Sequence, residues 1–368
     1  MNFKKFFAAI LAAVTTFGAL PAEAANLNLT SNVMHKLEVY SGDSGGTLIF
    51  SDSPEYVRRN GILYTDTVQG EARVLFYHLN DTYETKRFAV VFENLSDEPN
   101  VISVTRAGLS APNKNYYSVG KITQTMYMEN TFRDKIELDT YERRAYQPYE
   151  KYFLLKPGQL IHGVLDLKIK APVRIFLLMY PEDETALNYL SIAPILPKDK
   201  HQLRGTFKQM HRTLTLKKPY DSSRDGLGYV LICDNVNDLF KRGIDATDGS
   251  EVVNYGNYGI TYTLNFGTKF NTRFFLSPLG GHYAGAMTYK YGDSSGVIQT
   301  PNYSLYFGDK TPPESLDVAK AREDGVSQLT DYTELSELGT YRGQVSFEYS
   351  PPGASNLPVH IILMPVDN

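Results

Sequence analysis

Residues 171–181 of this chain read APVRIFLLMYP, and residues 357–365 read LPVHIILMP. A continuously apolar run of this length is typical of a strand that is covered on both of its faces. Proline is tolerated where a strand begins, because the N–H that it lacks is not needed there. The sequence therefore predicts two central, buried strands, entered at Pro172 and at Pro358.

Other segments recur at nearly the same spacing. The segment LIFSDSPE at 48–55 resembles LICDNVND at 231–238, and RVLFYHLN at 73–80 resembles YGITYTLN at 258–265. The separation in sequence between the matching residues Asp52 and Asp234 is almost the same as that between Met179 and Met364; this separation is called here the shift. A shift that drifts so little over a whole domain predicts two tandem copies of one fold.

The composition indicates strands. The chain has 27 Tyr and 19 Phe, and its short apolar runs are separated by turn residues. A length of 368 residues exceeds the size at which single cores usually stop growing. We therefore predict an all-β protein with two tandem homologous antiparallel β-sandwich domains, Ig-like or jelly-roll-like, at residues 25–200 and 201–368.

Residues 1–24 have the pattern of a cleaved signal peptide. Lys4 and Lys5 precede an apolar run at 6–20, and Ala22-Glu23-Ala24 is a small-x-small cleavage site, after which the mature chain would begin at Ala25. No later segment is long and apolar enough to cross a membrane. The sequence thus predicts export to the periplasm, the cell surface or the medium. The single cysteine, Cys233, excludes an intramolecular disulfide.

The charge of the chain bears on its partners. A formal net charge of −4 disfavours nucleic acid as the main partner, because neutralising phosphates needs a basic face. One stretch, residues 198–218, is nevertheless basic. It could attract an anionic polymer such as an envelope glycan or a lipid headgroup. The alternative is a solvated linker with an edge strand protected by lysines.

Tyrosine-rich loops are the main candidates for ligand binding, because a tyrosine offers an apolar body with a polar tip. The absence of Trp weakens a carbohydrate site, since Trp has the largest stacking face. Half-buried sheet positions are the alternative explanation. The candidate ligand-binding residues are Tyr116, Tyr117, Tyr149, Tyr152, Tyr255 and Tyr258.

One acidic loop is a candidate calcium site. Asp245, Asp248 and Glu251 place three carboxylates in a glycine-containing loop, and hard oxygen ligands of this kind suit Ca²⁺. The spacing is not that of an EF-hand, and a polar hairpin loop is the alternative. No other cofactor is expected.

Catalytic motifs give weaker signals. The segment GDSGG at 42–46 resembles the nucleophile loop of trypsin-like serine proteases, but Thr47 replaces the proline that normally follows it, and a plain turn explains it as well. No repeated or clustered acid–base pair is visible. We therefore expect an exported, non-catalytic binding or structural protein that contacts an envelope polymer or a protein partner. The alternatives are a hydrolase acting on an envelope polymer and an assembly protein that adds strands at a sheet edge.

Helices are expected to be few. Residues 315–324 follow two prolines and could form one short helix that ends at Gly325. Residues 128–144 occupy the same place in the first copy and are charged and irregular. Both segments are predicted to be long excursions from a sandwich, where β-proteins often carry their function. The groove between the copies is a further expected contact surface.

Overall fold

The structure is a computed structural model that describes residues 33–279, 281–308, 326–328 and 335–366. Within these residues most of the chain lies in strands, which form two large mixed sheets. The predicted all-β class is confirmed. The expected leader at 1–24 and the expected helix at 315–324 lie outside the described residues.

The first sheet, called here the N-terminal sheet, has twelve strands among the described residues. They are β3 (Thr47–Ser51), β4 (Tyr56–Val57), β5 (Gly61–Asn80), β6 (Lys86–Asn94), β7 (Asn100–Leu109), β8 (Asp134–Leu138), β9 (Arg143–Tyr146), β10 (Leu154–Leu155), β11 (Leu160–Pro181), β12 (Arg204–Lys208), β15 (Arg242–Ile244) and β16 (Glu251–Val253).

The second sheet, the C-terminal sheet, has ten strands in the same described part of the chain. They are β1 (Val33–Lys36), β2 (Val39–Ser44), β13 (His211–Leu216), β14 (Leu227–Ile232), β17 (Thr261–Pro278), β18 (Gly285–Tyr291), β19 (Ser294–Thr300), β20 (Val326–Gln328), β21 (Ser336–Tyr349) and β22 (Val359–Pro365).

The sheets are mixed, whereas the sequence predicted antiparallel ones. Strand β3 runs parallel to β5, and β13 runs parallel to β17. Strands β1 and β14 form another parallel pair. The segments 48–50 and 231–232, which look alike in sequence, therefore hold different places. The first lies parallel to β5, and the second pairs antiparallel with β22.

Both sheets contain strands from either side of residue 200. Strands β1 and β2 precede β3 in the chain but pair with β14 and β13 of the C-terminal sheet. In return, β12 pairs with β3 in the N-terminal sheet, and β15 extends that sheet from β12. The predicted boundary at residue 200 is thus crossed by backbone ladders in both directions.

The first apolar stretch forms the second half of the long strand β11. On one side β11 pairs with β5 along nearly its whole length, and on the other side it pairs with β7 and then with β6. Strands β5 and β6, which are consecutive in the chain, are therefore separated by β11. The ladder between β11 and β5 is interrupted between Ile169 and Val173. Pro172 lies in this irregularity rather than at a strand entrance, and its missing N–H interrupts no ladder bond there.

The second apolar stretch is β22, which begins directly after Pro358 as predicted. It lies between β14 and β17. Residues 260–266 and 272–276 are two short runs rich in apolar residues, separated by the segment GTKFN. Nearly all of them lie in the single long strand β17, which has an irregular register between Thr268 and Thr272.

The main helix, α1 (Tyr116–Glu129), was not predicted. It begins at Asn115, whose side-chain oxygen accepts a hydrogen bond from the backbone N–H of Ser118 at 3.1 Å. Three shorter segments are α2 (Ala186–Leu190), α3 (Ser222–Asp225) and a 3₁₀ turn at Glu150–Phe153. No helix in the described ranges is both long and apolar enough to cross a membrane.

Helix α1 lies close to the loop that joins β21 to β22. A Cβ atom added to Gly120 would collide with the carbonyl oxygen of Gly353. Only a glycine leaves room for this approach. The apolar core on this side of the molecule contains side chains of both sheets, such as Phe50 and Leu264. The two sheets therefore share buried surface.

Candidate functional site

A cavity of about 1160 Å³ lies where residues from both sides of position 200 meet; it is called here the cleft. Its walls come from several parts of the chain. These are the loop after β3, the start of α1, the strands β5 and β11, the segments at 201–203 and 255–258, and the loop at 353–356. The position agrees with the general preference of ligand sites for junctions between structural units.

Four of the six candidate tyrosines line this cleft, namely Tyr116, Tyr117, Tyr255 and Tyr258. Tyr149 and Tyr152 do not line it. Their rings pack on each other with centroids 5.4 Å apart and lie beside the apolar core of the N-terminal sheet. The structure thus brings together two pairs of tyrosines that lie far apart in the sequence.

The tyrosines of α1 are held by its first turn, not by a loop as the sequence suggested. The hydroxyl group of Tyr117 lies 2.7 Å from Nδ1 of His282, and the ring of Tyr306 lies 5.0 Å away from its own ring. His282 precedes β18, and Tyr306 follows β19. The side chain of Tyr117 is therefore held by contacts with residues that lie beyond position 200 in the chain.

The other two tyrosines differ in how firmly they are held. The hydroxyl group of Tyr258 donates to the carbonyl oxygen of Ser355 at 3.0 Å, and its ring stacks on Phe50 with centroids 6.3 Å apart. Tyr255 is 56% exposed, and its ring meets Phe240 edge to face. The Tyr258 side chain is thus held in place as part of the cleft wall, whereas the exposed ring of Tyr255 can be covered by a ligand.

Two carboxyl groups face the cleft. Asp52 directly follows β3, and Glu55 lies three residues further on. Burial raises the pKa of Asp52 well above its ordinary value, and the negative charges of Glu55 and Asp199 raise it further. Burial also raises the pKa of Glu55, again helped by Asp199, while His201 opposes the shift. Oδ1 of Asp52 has no hydrogen-bond partner among the described residues.

His162 adds a neutral imidazole to the wall. Its Nδ1 lies 2.8 Å from the carbonyl oxygen of Phe76 and must donate a proton there, which leaves Nε2 as an acceptor. Nε2 points toward the loop at 353–356, since a Cβ atom added to Gly353 would stand 3.0 Å from it. Burial lowers the pKa of His162 to about 4. The wall of the cleft thus contains two carboxyl groups and an acceptor nitrogen.

The candidate calcium loop has another role in the structure. Oδ2 of Asp245 accepts a hydrogen bond from Nε of the buried Arg204 at 2.8 Å. Asp248 pairs with Lys198 at 2.9 Å, and Glu251 lies exposed on β16. Across the described ranges no three acidic, histidine or cysteine side chains are grouped so that they could hold a metal ion. Basic side chains already neutralise two of the three carboxylates.

Several residues of the cleft carried no signal in the sequence. Asp52 stood out only because it recurs in the repeat as Asp234, and Glu55 lay in no motif. His162 was not among the candidate residues. The polar groups of Asn115 and Asn356 were hidden in loops. Only the folded chain shows that these residues share one cavity.

Comparisons with known proteins give no family. No protein-family model matches the chain, and no curated protein matches it. One solved structure, the formate complex of oxalate decarboxylase from Lactobacillus farciminis, aligns over 90% of this chain and 84% of its own, with 8% sequence identity and a TM-score of 0.15. A likeness this weak carries no argument about fold or function.

Proposed function

We propose that this protein is an exported, non-catalytic binding protein whose cleft holds a hydroxyl-rich chain such as an oligosaccharide of the cell envelope. The observation that carries the proposal is the convergence of four tyrosines on one cavity of about 1160 Å³. Aromatic rings cover the apolar faces of sugars, while the amides of Asn115 and Asn356 can bond to hydroxyl groups. A volume of this size suits several sugar units.

The test is isothermal titration of the mature protein with a panel of neutral and acidic oligosaccharides of four to eight sugar units. Tyr255→Ala removes the exposed ring and is expected to weaken binding at least tenfold, which corresponds to about 1.4 kcal/mol. Tyr40→Ala is the matched control, since Tyr40 is 65% exposed on β2 and lies outside the cleft. Equal losses in both variants, or no binding to any member, would contradict the proposal.

A hydrolase is the second candidate, because Asp52 and Glu55 both face the cleft with raised pKa values. A carboxyl group that keeps its proton can donate it to a leaving oxygen, and a neighbouring carboxylate can assist the attack of water. The test is the release of reducing ends from the bound oligosaccharides. Asp52→Asn should abolish release and leave affinity nearly unchanged, whereas a wild-type protein that releases nothing excludes this candidate.

We also propose that the chain carries a signal peptide followed by two copies of one β-sandwich. The support is the pairing of the two apolar runs: residues 173–179 of β11 pair antiparallel with β5, and residues 359–364 of β22 pair antiparallel with β17. β11 and β21 then pair antiparallel with β5 and β17. The mass of the protein secreted by a bacterial host tests the leader, which predicts a chain beginning at Ala25.

A further inference from the structure

A second groove, of about 560 Å³, opens beside the cleft and is called here the basic groove. Glu55 and His201 line both cavities, so that they share part of one wall. The basic groove is lined by four cationic side chains, which are Arg58, Arg59, Lys198 and Lys200. The cleft and the basic groove therefore adjoin at this shared wall; together they are called here the track, with tyrosines lining the cleft and cations lining the groove.

Two of the four cations are already paired. Nε of Arg58 lies 2.8 Å from Oδ2 of Asp81, and Nζ of Lys198 lies 2.9 Å from Oδ2 of Asp248. Arg59 and Lys200 are exposed, and neither has an ion pair within the ranges that the structure describes. Their charges are available to a partner from solution.

Within the ranges that the structure describes, the two acidic side chains of the groove form no ion pair with Arg59 or Lys200. The carboxylate of Asp199 accepts hydrogen bonds from Oγ of Ser53 at 3.0 Å and from the backbone N–H groups of Glu55, His201 and Gln202. It is thus used to hold its own loop. Glu55 has a raised pKa because of burial and the charge of Asp199, which reduces its tendency to ionise. Four cationic side chains therefore line the basic groove beside two carboxyl groups.

We infer that the ligand of the cleft is an acidic polysaccharide, whose sugar rings lie on the tyrosines and whose carboxylate groups reach Arg59 and Lys200. This inference rests on the proposed function, because it assigns the chemical class of the ligand in that same cleft. Tyrosine rings alone do not distinguish neutral from acidic sugars. A free arginine and a free lysine at one end of the track provide that distinction through charge.

The experiment compares a galacturonic acid hexamer with its fully methyl-esterified form, which has the same rings without the charges. Titration at low salt is expected to give at least tenfold tighter binding of the acid, and 0.3 M NaCl should remove most of the difference by screening. Arg59→Gln with Lys200→Gln should make the two affinities nearly equal. The matched control is Arg242→Gln with Lys208→Gln, which removes the same charges from exposed positions outside both cavities.

The outcomes separate the two proposals. If the acid and the ester bind equally well and Tyr255→Ala weakens both, the cleft binds sugars but the inference about charge is overturned. If neither binds, both the inference and the proposed function fall for this class of sugar. Binding of phosphatidylglycerol vesicles without binding of the hexamer also overturns the inference, because the basic groove would then serve a lipid surface.

Discussion

Arg73 and Asp166 form a two-pronged ion pair at the junction between the two sheets. Nε of Arg73 lies 2.6 Å from Oδ1, and Nη2 lies 2.9 Å from Oδ2. The remaining nitrogen, Nη1, donates to the carbonyl oxygens of Gly259 at 2.8 Å and Met210 at 3.2 Å. The buried guanidinium group on β5 thus links a carboxylate of β11 to backbone carbonyl groups of residues that lie beyond position 200.

Removing this arginine should strongly destabilise the protein. Burial opposes ionisation of Asp166, but the charge of Arg73 and hydrogen bonds from Arg73 and Tyr127 outweigh it and lower its pKa. Arg73→Leu leaves this buried carboxylate without its main partner, which typically costs about 3–5 kcal/mol. Urea unfolding followed by tyrosine fluorescence measures the loss.

Arg58→Leu is the control for that experiment. It removes an arginine from an exposed ion pair with Asp81, in which the side chains are 79% and 39% exposed. Exposed pairs of this kind contribute about 0–1 kcal/mol. Similar losses in the two variants would show that Arg73 is no more important than a surface arginine.

Acid should destabilise the fold through three buried histidines. Burial lowers the pKa of His78 to about 4, that of His162 to about 4 and that of His360 to about 3. The same groups titrate near 6.5 in an unfolded chain. Between about pH 6.5 and pH 4 these histidines bind protons in the unfolded chain but stay neutral in the folded one. The free energy of unfolding therefore falls as the pH drops through this range.

His360 offers the clearest test of this pH dependence, because its Nε2 is buried without a hydrogen-bond partner among the described residues. In the His360→Leu variant the free energy of unfolding should fall between pH 6.5 and pH 4 by up to about 3 kcal/mol less than in the wild type. His35→Gln, at an exposed position of β1, is the control and should keep the wild-type slope. The free energy of unfolding is measured in urea at half-unit pH steps. Identical slopes in wild type and His360→Leu would contradict the assignment.

The sequence was sufficient for the strand content and for much of the candidate binding surface. The apolar runs at 173–179 and 359–364 became central strands because a continuous apolar pattern requires cover on both faces. The tyrosines near 116 and 255 were identified because clustered tyrosines outside regular apolar runs favour contact surfaces. In both cases the local sequence pattern was enough to identify these segments.

Long-range pairing could not be predicted in this way. Nothing in the composition of residues 33–44 indicates that β1 and β2 join the C-terminal sheet, since their partners β14 and β13 lie far along the chain. Helix α1 was missed because its sequence, YYSVGKITQTMYME, is rich in tyrosine and threonine, which favour strands when taken alone. Asp52 and His162 meet in the cleft only after folding.

Splitting the chain at residue 200 tests the strand exchange. When expressed alone, residues 25–200 lack β12, which pairs with β3. Residues 201–368 lack β1 and β2, which pair with β14 and β13. Each fragment would expose unpaired strand edges. We expect neither to unfold cooperatively by circular dichroism, and we expect co-expression to restore a soluble complex. Two fragments that each unfold cooperatively alone would contradict this expectation.

Gly120→Ala tests the contact between helix α1 and the wall of the cleft. Helix propensity alone predicts that this change stabilises the protein by about 1 kcal/mol. The structure predicts the opposite sign, because the new Cβ would meet the carbonyl oxygen of Gly353. Crowding of this kind typically costs about 1–3 kcal/mol. Urea unfolding measures the sign and the size of the change.

The same variant should also alter binding. Since Gly353 lines the cleft, displacing its loop should lower the affinity for the sugar ligand as well. Gly42→Ala is the control, because Gly42 lies at an exposed strand position with no atom within 4 Å of the added Cβ. It should change neither stability nor affinity appreciably. A stabilised Gly120→Ala variant with unchanged affinity would show that the helix does not approach the loop this closely.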